Sequence, residues 1–170
     1  MAFGKPLRLG RHFVTDHHSA RRKFSPQALL RIQDAIAAGE RRHAGQVRFV
    51  VEGSLPLSQI LHGLAPRERA LELFGRLRVW DTEHNSGVLV YVLLADKDVE
   101  IVADRGISAK IPQETWQVIC RAMETAFRDG RFEEGVITGI NAISELLAAH
   151  FPRSGGAAGP NELPDQPVVL

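Results

Sequence analysis

The chain has a single cysteine, Cys120, among its 170 residues. One thiol can neither close an internal disulfide nor build a multi-cysteine zinc site. The lack of bridges fits a reducing compartment. No run approaches the roughly 18–20 consecutive apolar residues that a membrane span needs. The start, "MAFGKPLRLGRHF", has no continuous apolar stretch of the secretory type. Phosphate-binding glycine loops and dinucleotide fingerprints are missing, and neither Ser54 nor Ser86 stands in a nucleophile elbow. No segment repeats another. From these absences the expectation is a soluble, cytoplasmic protein without a membrane span.

What is present is ordinary for a globular chain: 44% hydrophobic and 24% charged residues. The length suffices to bury a core without staples. One domain is expected over residues 25–152, between a basic arm (1–24) and a tail (153–170). Net charge is +1 but uneven. Lys5, Arg8, Arg11, Arg21, Arg22 and Lys23 face Asp16 alone, so the arm is +5 and the remainder is −4. Such an arm can meet phosphate or an acidic surface, or pack on its own acidic domain. It lacks the interleaved aromatics of a single-strand binder, so nucleic acid is not the expected partner.

Local signals mark the elements. Ser25 is an N-cap and Pro26 a first helical residue. Leu29, Ile32 and Ile36 share a face, and Gly45 is the expected stop. "QVRFVVEGSL" reads as a strand buried on both faces, because its apolar residues occupy both parities. "PRERALELFGRLRVW" carries Ala70, Leu73, Phe74 and Leu77 at helical spacing. "GVLVYVLLA" and "VEIVAD", joined by "DKD", predict a hairpin, with Asp96 and Asp98 as solvated turn residues. Two helices follow, with core stripes Trp116–Ile119–Cys120–Met123–Phe127 and Phe132–Val136–Ile140–Ile143–Leu147. Asp129-Gly130 separates them, and Cys120 is expected to be buried and inert. The tail opens Gly- and Pro-rich, which predicts mobility. Its end, "NELPDQPVVL", can stay disordered, or dock as an extended strand here or on a partner.

This order of pieces resembles the TPM domain family, often described as TPM phosphatases. The resemblance runs from about Phe24 to Pro152. It rests on Ala35-Ile36, Glu40, Gly45 and "VRFVVE", then "RALELFGRL" before "WDTEHNSGVLVYV". "VEIVADRGI" before "IPQETW", and "FRDGRFEEGVITGI" before "LAAHFP", complete it. It implies an α/β fold in three layers, with a small mixed sheet covered by helices on both faces. It also implies binding of a divalent cation, Ca²⁺ or Mg²⁺, and acid phosphatase activity in some members. Family members commonly carry a signal peptide or a membrane anchor, and neither pattern is found here. The usual Asn directly before the Gly-Val-Leu strand is Ser86, with Asn85 one position earlier.

Hard cations need several oxygen ligands, from two or more loops. The candidate metal ligands are Asp81, Glu83 and Asn85 on one loop, Asp104 on the next, and Glu114 at a helix start. The Asp81–Glu83–Asn85 spacing is that of half an EF-hand loop. Ser86 and Val92 stand where that motif requires Gly and Glu, so it is not one. His84 is a further acid or ligand in reach of the same loop. A hairpin turning at Lys97 would pair Asp104 with Val90, and so put Asp104 about 16 Å along the strand from Asn85. Only a bend at Gly106 or a bulge would then bring the two loops together. The catalytic residues stay unknown: no side chain recommends itself as a phosphoryl-accepting nucleophile. The first functional reading, implied by the resemblance, is cation binding, with at most weak metal-dependent phosphomonoesterase activity. The second is a non-catalytic module that offers the arm and tail to a protein partner.

Overall fold

The structure is a computed structural model that describes residues 8–10, 12, 15, 17–153 and 161–170. Its spine is a mixed four-stranded sheet in the order β3-β2-β1-β4. The strands are β1 (Gln46–Glu52), β2 (Gly87–Leu93), β3 (Asp98–Ala103) and β4 (Val168–Val169). β1 runs parallel to β2 and to β4, and β2 is antiparallel to β3. The helices are α1 (His17–Lys23), α2 (Pro26–Glu40), α3 (Leu57–Leu61), α4 (Pro66–Arg76), α5 (Arg105–Ser108), α6 (Gln113–Arg128) and α7 (Phe132–His150).

The strands show why the sheet is covered twice. Val47, Phe49 and Val51 of β1, with Val88, Val90 and Val92 of β2, face α1, α2, α6 and α7. The alternate residues Val50, Leu89, Tyr91 and Leu93 join Ile60, Ala70 and Leu73 of α3 and α4 in a second core. Every residue of β2 is buried, as period-two alternation between two apolar layers demands. The expected three-layer α/β arrangement is the one observed. The apolar stripes of α6 and α7 supply much of the first core. Among the described residues no helix is long and apolar enough to cross a membrane.

Three expectations need correction. α2 stops at Glu40, well before Gly45. The Glu40 carboxylate turns inward to accept a hydrogen bond from Val47 N at 2.7 Å, which ends the helix there. Gly45 serves packing instead, since a Cβ on it would lie 2.9 Å from Leu147. The hairpin turns earlier than expected. Lys97 adopts φ 53° and its N–H donates to Leu94 O, so Leu93 pairs with Asp98. Asp104 consequently lies opposite Gly87, to whose carbonyl its N–H donates at 2.9 Å, and not opposite Val90. Finally, Asp96 and Asp98 are not solvated turn residues. The Asp96 side chain is 10% exposed and takes Arg8 at 2.9 Å and His12 at 3.2 Å. Burial pushes the Asp98 carboxyl up to about 6, helped by Glu100, Glu124 and Asp96. The described part of the arm thus packs on its own domain. The rest of the arm, and residues 154–160 of the tail with their expected mobility, lie outside the described residues.

The tail's end docks as an extended strand. Val168 and Val169 pair with Val50 and Val51, and Leu163 is buried in the second core.

Candidate functional site

The first half of the site is the loop between α4 and β2. Arg78 leaves α4 with φ 54°, and Asp81 N donates to Arg78 O. Thr82 then organises a tight turn: its Oγ1 accepts from Ser86 N at 2.8 Å and its carbonyl from Asn85 N at 3.2 Å. Asn85 takes φ 51°, a left-handed conformation that Asn tolerates better than most residues. Ser86 ties the loop to the start of β1 through Gln46 N to Ser86 O at 3.0 Å, and Ser86 Oγ to Ala44 O. Gly87 is required because a Cβ would lie 1.9 Å from Val79 O.

The second half is the turn from β3 into α5. Asp104 caps α5, its Oδ1 accepting from Arg105 N at 2.7 Å. The two halves meet at Gly106, whose N–H donates to Asn85 O at 3.1 Å. A Cβ on Gly106 would sit 2.6 Å from both Asn85 O and His84 O, so only glycine allows this approach. Arg105 Nε donates to Asn85 Oδ1 at 2.9 Å. Asp104 is 9% exposed, and its second carboxylate oxygen, Oδ2, is buried with no hydrogen-bond partner among the described residues. A buried carboxylate oxygen is ordinarily paired or bound to a cation.

Asn85 and Asp104 are therefore brought to one junction; the other expected ligands are turned elsewhere. The Asp81 carboxylate, half exposed, pairs with Arg78 at 2.7 Å. Glu83 and His84 are exposed on the loop, and Glu114 is exposed in the first turn of α6. Among the described residues, no three His, Cys, Asp or Glu side chains group closely enough to hold a metal ion. The donors at the junction are hard oxygens: Asp104 Oδ2, the Asn85 amide and the loop carbonyls. Their chemistry suits Ca²⁺ or Mg²⁺ with water completing the shell. Arg105 is exposed, so it can leave Asn85 Oδ1 for water.

Two buried polar groups near the sheet escaped the sequence reading. Glu52 and Arg69 form a two-pronged ion pair at 2.9 and 3.0 Å, and Tyr91 Oη donates to Glu52 at 2.7 Å. Hydrogen bonding to Glu52 raises Arg69, and burial raises the Tyr91 hydroxyl. The available signal was an acid closing the apolar run "VRFVVE". Gln46 is the second: its Oε1 accepts from Glu162 N and Leu163 N, and no periodicity singles it out. Cys120 is buried as expected, and burial pushes its thiol up to about 12, which leaves it inert.

A mixed sheet with helices on both faces, and two loops meeting at the open end of the β2–β3 pair, define a compact three-layer α/β domain. The model of the TPM domain matches residues 20–146, and the chain belongs to that family. It is similar in structure to the BA42 protein of the psychrophilic bacterium Bizionia argentinensis. The TM-score is 0.74 and the identity 27%, over 85% of this chain and 94% of that one. The N-terminal domain of a protein from P. gingivalis shares the fold. Its TM-score is 0.54 at 22% identity, over 73% of this chain and 80% of that one. Among curated proteins none matches.

Proposed function

We propose that this TPM domain binds a divalent cation, Ca²⁺ or Mg²⁺, where the α4–β2 loop meets the β3–α5 turn. The observation that carries this reading is Asp104 Oδ2, a buried carboxylate oxygen with no hydrogen-bond partner among the described residues, two residues before Gly106, which packs against the Asn85 and His84 carbonyls. Asp104 supplies the negative charge. Asn85 Oδ1 and the His84 carbonyl are the neutral oxygens we assign as further ligands, with water in the remaining positions. Asp81, Glu83 and Glu114 are left out of the ligand set. A single carboxylate implies weak binding, about 0.1–1 mM, the range of low-charge calcium sites. Any phosphomonoester hydrolysis would come from the cation acting as Lewis acid. This chain's own residues would hold the ion and contribute no attacking group, so the reading is a binding domain with weak hydrolysis at most.

The test is thermal unfolding with and without cation. At 10 mM Ca²⁺ and a dissociation constant near 1 mM, linkage gives about 1.4 kcal/mol, or about 4 °C in a domain of this size. Asp104→Asn keeps the cap and removes the charge, and it should abolish the shift. An equal shift in Asp104→Asn and wild type would sink the assignment.

A further inference from the structure

We propose that residues 161–170 form a strap whose docking holds the α4–β2 loop in its binding shape, and so sets the cation affinity of the junction. The proposal rests on the cation reading above. Two kinds of contact carry it.

The strap is anchored along the edge of β1. Leu170 N donates to Val51 O at 2.9 Å, and Gly53 N donates to Leu170 O at 3.2 Å. Arg48 donates to the carbonyls of Pro164 and Gln166. Leu163 is 5% exposed in the second core, and Val168 and Leu170 pack beside it. These contacts read mostly backbone, as strand addition to a sheet edge does.

The strap also grips the loop. Glu162 Oε2 accepts a hydrogen bond from Glu83 N at 2.7 Å. Gln46 Oε1 accepts from Glu162 N at 2.7 Å and from Leu163 N at 3.0 Å, while Gln46 N donates to Ser86 O. The strap therefore holds the loop directly at Glu83, while Gln46 of β1 touches both the strap and Ser86. From the other side it is held at Asn85, by Gly106 N and Arg105 Nε. Glu83 lies two residues from Asn85, so a change at one is felt at the other.

The strap is the low-stability part of the arrangement. Only two of its residues pair as strand, and apart from Leu163 its residues are half-buried or exposed. Segments with so few buried contacts open well below the global unfolding limit. Docked, the strap fixes the turn that carries His84 O and Asn85; released, it frees Glu83 N and Gln46. Coupling of this kind is reciprocal: cation at the junction must tighten the strap by the same factor that the strap tightens the cation.

The experiment uses the full chain and amide hydrogen exchange, read with a Ca²⁺ titration. Leu163→Asp puts a charge into an apolar pocket and releases the strap. Glu162→Ala removes only the acceptor for Glu83 N, and it answers the question should the first variant not fold. In Leu163→Asp, exchange at Leu170, Glu83 and Asn85 should quicken about tenfold while β2 amides keep their protection. The Ca²⁺ dissociation constant should rise about fivefold, and saturating Ca²⁺ should slow Leu170 exchange in the wild type by a matching factor. Release of Leu170 with Glu83, Asn85 and the Ca²⁺ affinity all unchanged would overturn the proposal. A wild-type chain with no Ca²⁺ response contradicts the cation reading. Exchange at Glu83 and Asn85 would still decide whether the strap shapes the loop.

Discussion

Glu40 is 5% exposed at the end of α2, with Val47 N and the Gln46 amide on its carboxylate. Burial is the largest influence on it and pushes its pKa from 4.5 up to about 8; Val47 N–H and Arg153 oppose this, and Asp165 of the tail adds to it. The folded state therefore holds a proton on Glu40 that the unfolded chain gives up near pH 4.5. Stability from this group is complete below about 4.5 and is lost as pH rises toward 8. His43, 0% exposed, has the opposite sense. Burial pushes it from 6.5 down to about 4, so its contribution is lost as pH falls from 6.5 toward 4. Asp98, raised from 3.8 to about 6, loses its contribution mostly between those values and keeps only a small remainder above pH 6.5. Between pH 6.5 and 8 Glu40 is the main contributor among these three; the remainders of His43 and Asp98 are small and of opposite sign. At 1.36 kcal/mol per pH unit, allowing for half-ionisation at pH 8, the loss is on the order of 2 kcal/mol. That is about 5 °C of melting temperature at this chain length. Urea unfolding at pH 6.5, 7.25 and 8 measures it. Glu40→Gln keeps an acceptor for Val47 N and should flatten the profile. A wild-type protein equally stable at both ends of the window, or a Glu40→Gln variant that still declines, refutes the reasoning.

Further perturbations probe other parts of the fold. Arg69→Met strands Glu52, which is 3% exposed, and should cost about 3–5 kcal/mol in chemical unfolding; a loss below about 1 kcal/mol would mean that Glu52 finds water or a proton at no cost. Gly106→Ala drives a methyl into Asn85 O and His84 O, for about 1–3 kcal/mol. Its amide shifts should concentrate on Thr82 to Ser86, and a spectrum unchanged there would mean that the loops do not touch as described.

Period-two burial made the sheet legible: Val88 to Leu93 alternates between two cores, and its apolar residues on both parities say so directly. The helical stripes of α6 and α7 were equally plain, because 3.6-residue spacing is local. The geometry of the candidate site was half legible. Asn85 and Asp104 could be named as candidates, but their meeting depends on a turn centred between Ala95 and Asp96, not on Lys97, which shifts the register by three residues along β2. "DKD" does not announce which residue takes the left-handed conformation, and a turn misplaced by a residue or two moves every later pairing. Asp81 looked equivalent to Asp104 in sequence, yet Arg78, three residues back, holds it. The strap's role was hidden for a different reason. Its partners Gln46, Glu83 and Val51 are about 80 to 120 residues away in sequence, beyond any local pattern.

The central claim is that Asn85 and Asp104 share a cation, and a Ca²⁺ and Mg²⁺ titration followed by amide chemical shifts tests it most directly. The account predicts shifts confined to Thr82–Gly87 and Asp104–Gly106, saturating at about 0.1–1 mM, followed by smaller ones in Glu162 and Leu163. Amides at Asp104 and Asn85 that stay fixed at 10 mM cation, or shifts centred instead on Asp81 and Glu114, would contradict it.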